Sequence, residues 1–152
     1  QLIAGAIGDL FDIRWVVAGS ADYLERFGVP QHPNDLMHHR CLRIRLGNGA
    51  MYDWEFEKEG QQLSIAVPGC ITIDETRVGL SLARQGAGLM YAPEPAMMPL
   101  LESGEVIRVL DDWSSTGSGF HMYYPSHRQL PVGLRLLIDL IRELQPIGDY
   151  QA

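Results

Sequence analysis

Five histidines are the first place to look for chemistry, and their spacing supports none. His38 and His39 are adjacent and so point different ways, while His32, His121 and His127 fall in turn or strand contexts without HExxH or HxH spacing. Ser20, in "AGSAD", stands where a nucleophile elbow would place its serine. Ala18, however, occupies the position of the leading glycine in G-x-S-x-G, and a helix cap is the better reading of Ser20. The "GAG" at 86–88 is too short for a dinucleotide fingerprint and closes a helix rather than opening one, which reverses the geometry that cradles phosphate. Asp111 and Asp112 are strand neighbours facing opposite sides, not an acid/base pair. Cys41 and Cys70 lack CxxC spacing or a histidine cluster and read as small core residues. No catalytic residue, metal or cofactor is expected.

Composition narrows the partners. The chain has 152 residues, 46% of them hydrophobic and 20% charged, the profile of a soluble globular protein. Asp and Glu outnumber Lys and Arg 19 to 12, giving a net charge of −7, which argues against direct nucleic-acid binding because phosphate contacts need clustered cations. No run of 18 apolar residues occurs, and the amino terminus carries no signal-peptide pattern, so a cytoplasmic location without membrane contact is expected. The chain opens on Gln1 rather than Met, so it is expected either to be processed or, more readily, to have its true start further upstream.

Residues such as these need elements to position them. The run Ile13–Ala18 reads as a strand, and Ser20 caps a short helix over "ADYLERF" that Gly28 closes. Asn34 or Asp35 can cap another helical turn, and "CLRIRL" alternates like a half-buried strand with Arg43 and Arg45 on one face, a solvated face more readily than an acid-neutralising one. Tyr52, Trp54 and Phe56 alternate with Asp53, Glu55 and Glu57, "KEGQ" supplies a turn, and "LSIAV" returns, which is a hairpin whose aromatics fill a core or an interface. Thr72 or Asp74 caps the next helix, Thr72-x-x-Glu75 fits a capping box, and Gly86 suits the left-handed position after the helix. "LMYA" is a short buried strand. Pro93-Glu94-Pro95 ends it, Pro95 suits a first helical position, and a helix is expected through "MMPLLESG", beginning either there or only at Pro99.

"EVIRVLDDW" reads as a strand, 114–119 as a flexible join, and "FHMYYP" as a strand again. Leu134, Leu137, Ile138 and Ile141 recur at helical spacing and form a stripe expected to be covered by a second chain. Strands interleaved with helices predict an α/β protein of two lobes, with crossings at 114–119 and at "GDLFD", residues 8–12.

Several stretches taken together carry a resemblance. "RWVVAGSADYLERFGVPQHPNDLMHHRCLRIR", "YDWEF", "ITIDETRVGLSLARQGAGLMYAPE", "GEVIRVLDDW" and "GFHMYYPSHRQLPVGLRLLIDLIREL" resemble the effector-binding (substrate-binding) domain of LysR-type transcriptional regulators, from about Gly8 to Leu144. The resemblance implies a periplasmic-binding-protein-like (type 2) two-lobe α/β fold with a small-molecule inducer between the lobes. On that reading residues 14–110 are the second lobe, while 1–13 and 111–152 are crossing segments and the remnant of the first. It further implies a homo-oligomer, dimer or tetramer, that touches DNA only through a winged helix-turn-helix absent from this sequence. The matching effector positions are Ser20, Cys70, Thr72, Asp74 and Thr76, and helix amino termini there suit a carboxylic acid. Each polar residue among them also serves as a helix cap, and Asp74 would repel an anion. A solute-binding protein of a transport system with the same general fold is the alternative.

Overall fold

The computed structural model describes residues 5–114, 116–125 and 132–144, with side chains defined at 13–114, 132–141, 143 and 144. The chain divides into two compact units, Trp15–Ser115, and Gln1–Arg14 together with Thr116–Ala152.

The larger unit is a sheet with layers on both faces. Strand β1 (Gly5–Gly19) enters it at Trp15 and pairs antiparallel with β7 (Met90–Pro93) and with β8 (Ile107–Val109). Leu89, just before β7, makes a parallel bridge to Cys41, its amide donating to the Arg40 carbonyl at 2.8 Å and its carbonyl accepting the Leu42 amide at 2.9 Å. That bridge joins β7 to the chain entering β2 (Arg43–Arg45), which pairs in parallel with β6 (Thr72–Ile73) and antiparallel with β3 (Met51–Tyr52). The order is therefore β8–β1–β7–β2–β6, with β1 alone running against the rest. Alternation assigns Val17, Tyr91 and Val109 to one core and Val16, Ala18, Met90 and Ala92 to the other, so β1 and β7 are buried on both faces.

Helix α1 (Ala21–Phe27) begins as its sequence requires. The Ser20 hydroxyl accepts the Tyr23 amide at 3.1 Å, and Gly28, at φ 84°, ends the helix. The 3-10 turn at Pro33–His38 is capped by His32 rather than by Asn34 or Asp35. His32 packs edge-on to Trp113, and its Nδ1 accepts the Asn34 amide at 3.1 Å, while the Asp35 carboxylate accepts the Gln31 and His32 amides, each at 3.0 Å.

The hairpin is β4 (Trp54–Lys58) and β5 (Gln61–Ile65), in register from Trp54↔Ile65 to Lys58↔Gln61. Its two-residue turn holds Glu59 at φ 49° and Gly60 at φ 80°, both positive as a type I′ turn demands. Tyr52 lies outside this hairpin, in β3 opposite Ile44.

Helix α2 (Thr76–Arg84) departs from its expected start. Its N-cap is Glu75, which makes no side-chain cap bond, so neither Thr72, Asp74 nor a Thr72–Glu75 capping box closes it. Thr72 is held in the β6 ladder opposite Arg43, and Asp74 is turned to Arg45, so neither is positioned to cap. The carboxyl end does follow expectation: the Ala87 amide donates to Leu82 and the Gly86 amide to Ala83, both at 3.0 Å, with Gly86 at φ 81°.

Helix α3 (Glu94–Glu102) begins at Glu94, not at Pro99, which lies within it. Pro95 fits the first turn, and the burial of Met97, with Leu100 and Leu101 packed beside it, outweighs the one ladder bond that Pro99 cannot make. The expected strand to Trp113 stops at Val109. Leu110 turns left-handed at φ 53°, and a 3-10 turn over Asp111–Trp113 buries the Trp113 indole instead.

Cys41 is buried as expected, but Cys70 is exposed. A side chain at Gly69 would place its Cβ 2.0 Å from the Cys41 carbonyl oxygen, so the chain passes Cys41 on the glycine and Cys70 falls outside.

In the smaller unit, residues 5–14 of β1 pair antiparallel with β9 (Thr116–Pro125), from Gly5↔Pro125 to Arg14↔Thr116, with register irregularities between Asp9 and Ile13. Strand thus occupies most of 114–119 and all of 8–12, where joins were expected: Gly8, Asp9 and Phe11 pair with Met122, His121 and Phe120, and Thr116 and Gly117 with Arg14 and Ile13. Helix α4 (Val132–Leu144) follows. Of the expected stripe only Ile138 is buried; Leu134 and Ile141 are half-buried, and Leu137 is exposed with Val132, Leu136, Leu140 and Leu144.

Candidate functional site

Four strands of the larger unit run the same way, and their carboxyl ends gather at one edge of the sheet. In open α/β sheets that edge is where ligands bind, because the chain leaves each strand there and opens loops and helix amino termini. β2 ends at Arg45, β6 at Ile73, β7 at Pro93 and β8 at Val109. The antiparallel β1 brings Trp15, opposite Pro93, to the same edge.

Each group at this edge has a structural reason to be there. The Arg45 guanidinium meets the Asp74 carboxylate at 3.2 Å, both largely in solvent. Beside them the first amides of α2 receive no cap from Glu75, so they retain hydrogen-bonding capacity and the positive end of the helix dipole. Thr76 opens that helix and is exposed, whereas Thr72 is half-buried. Across the sheet, Arg108 is held by Glu94 and, at 3.2 Å, by Asp111. Both partners of the Arg108–Glu94 pair are mostly shielded from water, which makes it the firmest ion pair at this edge.

Aromatic rings cluster in the core that Val17 and Val109 share. Trp15 stacks on Tyr91 at 5.0 Å and on Tyr52 at 6.1 Å, and Trp54 stacks on the other side of Tyr91 at 5.4 Å. The Tyr52 hydroxyl donates to the Glu55 carboxylate at 3.4 Å, and burial, then that carboxylate's charge, push its pKa up. Trp15, Phe56, Arg108, Asp111 and Ser114 line a crevice too tight to admit a water molecule.

The five expected effector positions do not converge. Asp74 and Thr76 stand at the carboxyl edge and Thr72 leads into it. Cys70 precedes β6 and lies toward the strand's amino end. Ser20 follows the last residue of β1, which runs antiparallel, so it sits at the opposite edge; its hydroxyl is buried and accepts the Tyr23 amide. Arg45 was read as a solvated strand residue, and it is exposed, though paired with Asp74. Trp15, Glu94 and Arg108 were not singled out. The signal for Glu94 was its place between two prolines, where a strand hands over to a helix. Trp15 and Arg108 carried no local signal, since only the sheet order brings them to this edge. Among the described residues no group of histidine, cysteine and acidic side chains could hold a metal ion, and no helix is long and apolar enough to cross a membrane.

Residues 7–146 match the LysR substrate binding domain. The chain belongs to that family. It is 36% identical over 142 residues, 93% of its own length, to the uncharacterized HTH-type transcriptional regulator YcaN of Escherichia coli K12, of which it covers 45%. Against the putative LysR family substrate binding domain-containing protein YagP of the same organism the identity is 35%, covering 69% of this chain and 78% of that one. Among solved structures, the regulatory domain of CrgA from Neisseria meningitidis superposes with a TM-score of 0.74 at 23% identity, covering 97% of this chain and 71% of that one. Full-length AphB from Vibrio cholerae gives 0.75 at 22% identity, covering 94% and 49%. The LysR domain thus has the periplasmic-binding-protein-like type 2 fold, and it spans about half the length of the full-length regulators it matches.

Proposed function

We propose that this LysR domain is the effector-sensing part of a transcriptional regulator, taking a small molecule at the carboxyl edge of the β8–β1–β7–β2–β6 sheet. The observation that carries the reading is the gathering of four parallel strand ends beside the uncapped amino terminus of α2. Residues 14–110 act as the second lobe, consistent with the compact unit Trp15–Ser115. Asp74 and Thr76, with Thr72 behind them, are the contacts this edge favours. Ser20, at the far edge, and Cys70 serve the fold instead. A carboxylic acid is the proposed effector class: it would engage the α2 amides and draw Arg45 away from Asp74. The protein acts by binding and not by catalysis, in the cytoplasm, as a homo-oligomer. DNA contact belongs to a winged helix-turn-helix outside these residues.

Relatives named as transcriptional regulators favour this reading over a transport receptor. The test is a melting-temperature titration of the full-length protein with a panel of small carboxylic acids, their neutral amides as controls. An acid that raises the melting temperature, with a larger rise in Asp74→Asn, supports the proposal. No acid doing so at saturating concentration overturns the effector class.

A further inference from the structure

Away from the effector edge, the Tyr23 hydroxyl sits at a junction of three segments. Tyr23 is fully buried, and its oxygen accepts the Arg40 amide at 2.9 Å while lying 2.9 Å from His39 Nδ1. A phenol carries one proton, and among the described residues the only acceptor it reaches is that imidazole nitrogen. His39 must therefore present a bare Nδ1 for the junction to close. We propose that this junction is a proton-sensitive latch, in which protonation of His39 releases the segment 32–41 from α1.

The reason is the accounting of donors. A proton on Nδ1 turns the acceptor into a donor, and the phenol proton is left without a partner in a buried site, the costly kind of unsatisfied group. The surrounding charges pull both ways on the imidazole, Asp35 favouring its charged form and His38, more weakly, opposing it. His38 is adjacent, and the Arg40 guanidinium lies 4.7 Å from the Phe27 ring, which itself packs on Tyr23 at 4.8 Å. The Asp35 carboxylate favours a charged imidazole, yet it already accepts the Gln31 and His32 amides. The neighbouring Cys41 thiol stays neutral, since burial pushes its pKa up to about 12. Burial of the imidazole lowers the His39 pKa, in keeping with the geometry. The latch reaches the sheet through Arg40, whose carbonyl accepts the Leu89 amide at 2.8 Å.

Hydrogen exchange of the full-length protein tests this, with protection of the Arg40 amide followed at pH 7 and pH 5.5 and corrected for intrinsic exchange. The amides of the β1–β7 ladder are the internal reference. The expected result is a several-fold fall in Arg40 protection, with the reference unchanged. His39→Gln retains an acceptor that does not titrate and should abolish the fall. Tyr23→Phe should leave Arg40 poorly protected at both pH values. Constant Arg40 protection, a fall shared by the ladder amides, or a fall that persists in His39→Gln would each overturn the latch.

Discussion

Trp54 illustrates how a side chain can be chosen for its bulk and carry a polar atom at a loss. Its ring is completely buried against Tyr91, yet its indole N–H has no partner among the described residues. Trp54→Phe removes the orphaned donor along with some volume, and is expected to cost under about 1.5 kcal/mol, whereas Trp54→Ala should cost about 3–5 kcal/mol. Urea unfolding of the two variants would separate these values. Gly69 is the opposite case, a residue chosen for having no bulk: Gly69→Ala drives a Cβ to 2.0 Å from backbone that cannot yield, and should destabilise by about 2 kcal/mol or more in the same assay. Asp35 supplies a pH term distinct from the latch. Its carboxyl is held below the ordinary value of 3.8, first by the Gln31 amide and then by the His32 amide. The unfolded chain therefore takes up the proton first, so this contribution is complete above the ordinary value and is lost as pH falls through the folded one. Asp35→Asn should flatten the acid limb of a stability profile below about pH 4.

At the scale of elements, local chemistry decided most starts and stops, and tertiary packing decided the exceptions. Ser20, Gly28 and Gly86 behave as caps because the groups they satisfy lie within a few residues of them. Pro95 marked the first turn of α3, but the choice between it and Pro99, and the early end of β8, were not readable, because each depends on a distant partner: Arg108 holds Glu94, and His32 packs against Trp113. Thr72 and Asp74 lost their capping role in the same way, to Arg43 and Arg45 of a neighbouring strand. The hairpin turn offers a direct test. Glu59 holds a left-handed φ of 49° that asparagine tolerates better, so Glu59→Asn should stabilise by about 0.5 kcal/mol, measured as a raised melting temperature.

For the whole molecule, the exposed face of α4 bears on assembly. Val132, Leu136, Leu140 and Leu144 recur every fourth residue and are all exposed, so an apolar strip faces outward beside Leu137 of the expected stripe, while Ile138 of that stripe is inside. If the proposed homo-oligomer uses this strip, Leu136→Arg with Leu140→Arg should shift full-length protein toward the monomer in sedimentation velocity, with unchanged helix content. Alternation and capping residues were enough to establish an α/β domain and most of its strand-helix order, since these are written in nearest-neighbour spacing, while particular quoted stretches carried the LysR resemblance. Which residues share an edge was settled only by the fold. Reversing the single strand β1 sends Ser20 to one end of the sheet and Trp15 to the other, and strand direction is a property of pairing between distant segments that no local pattern encodes.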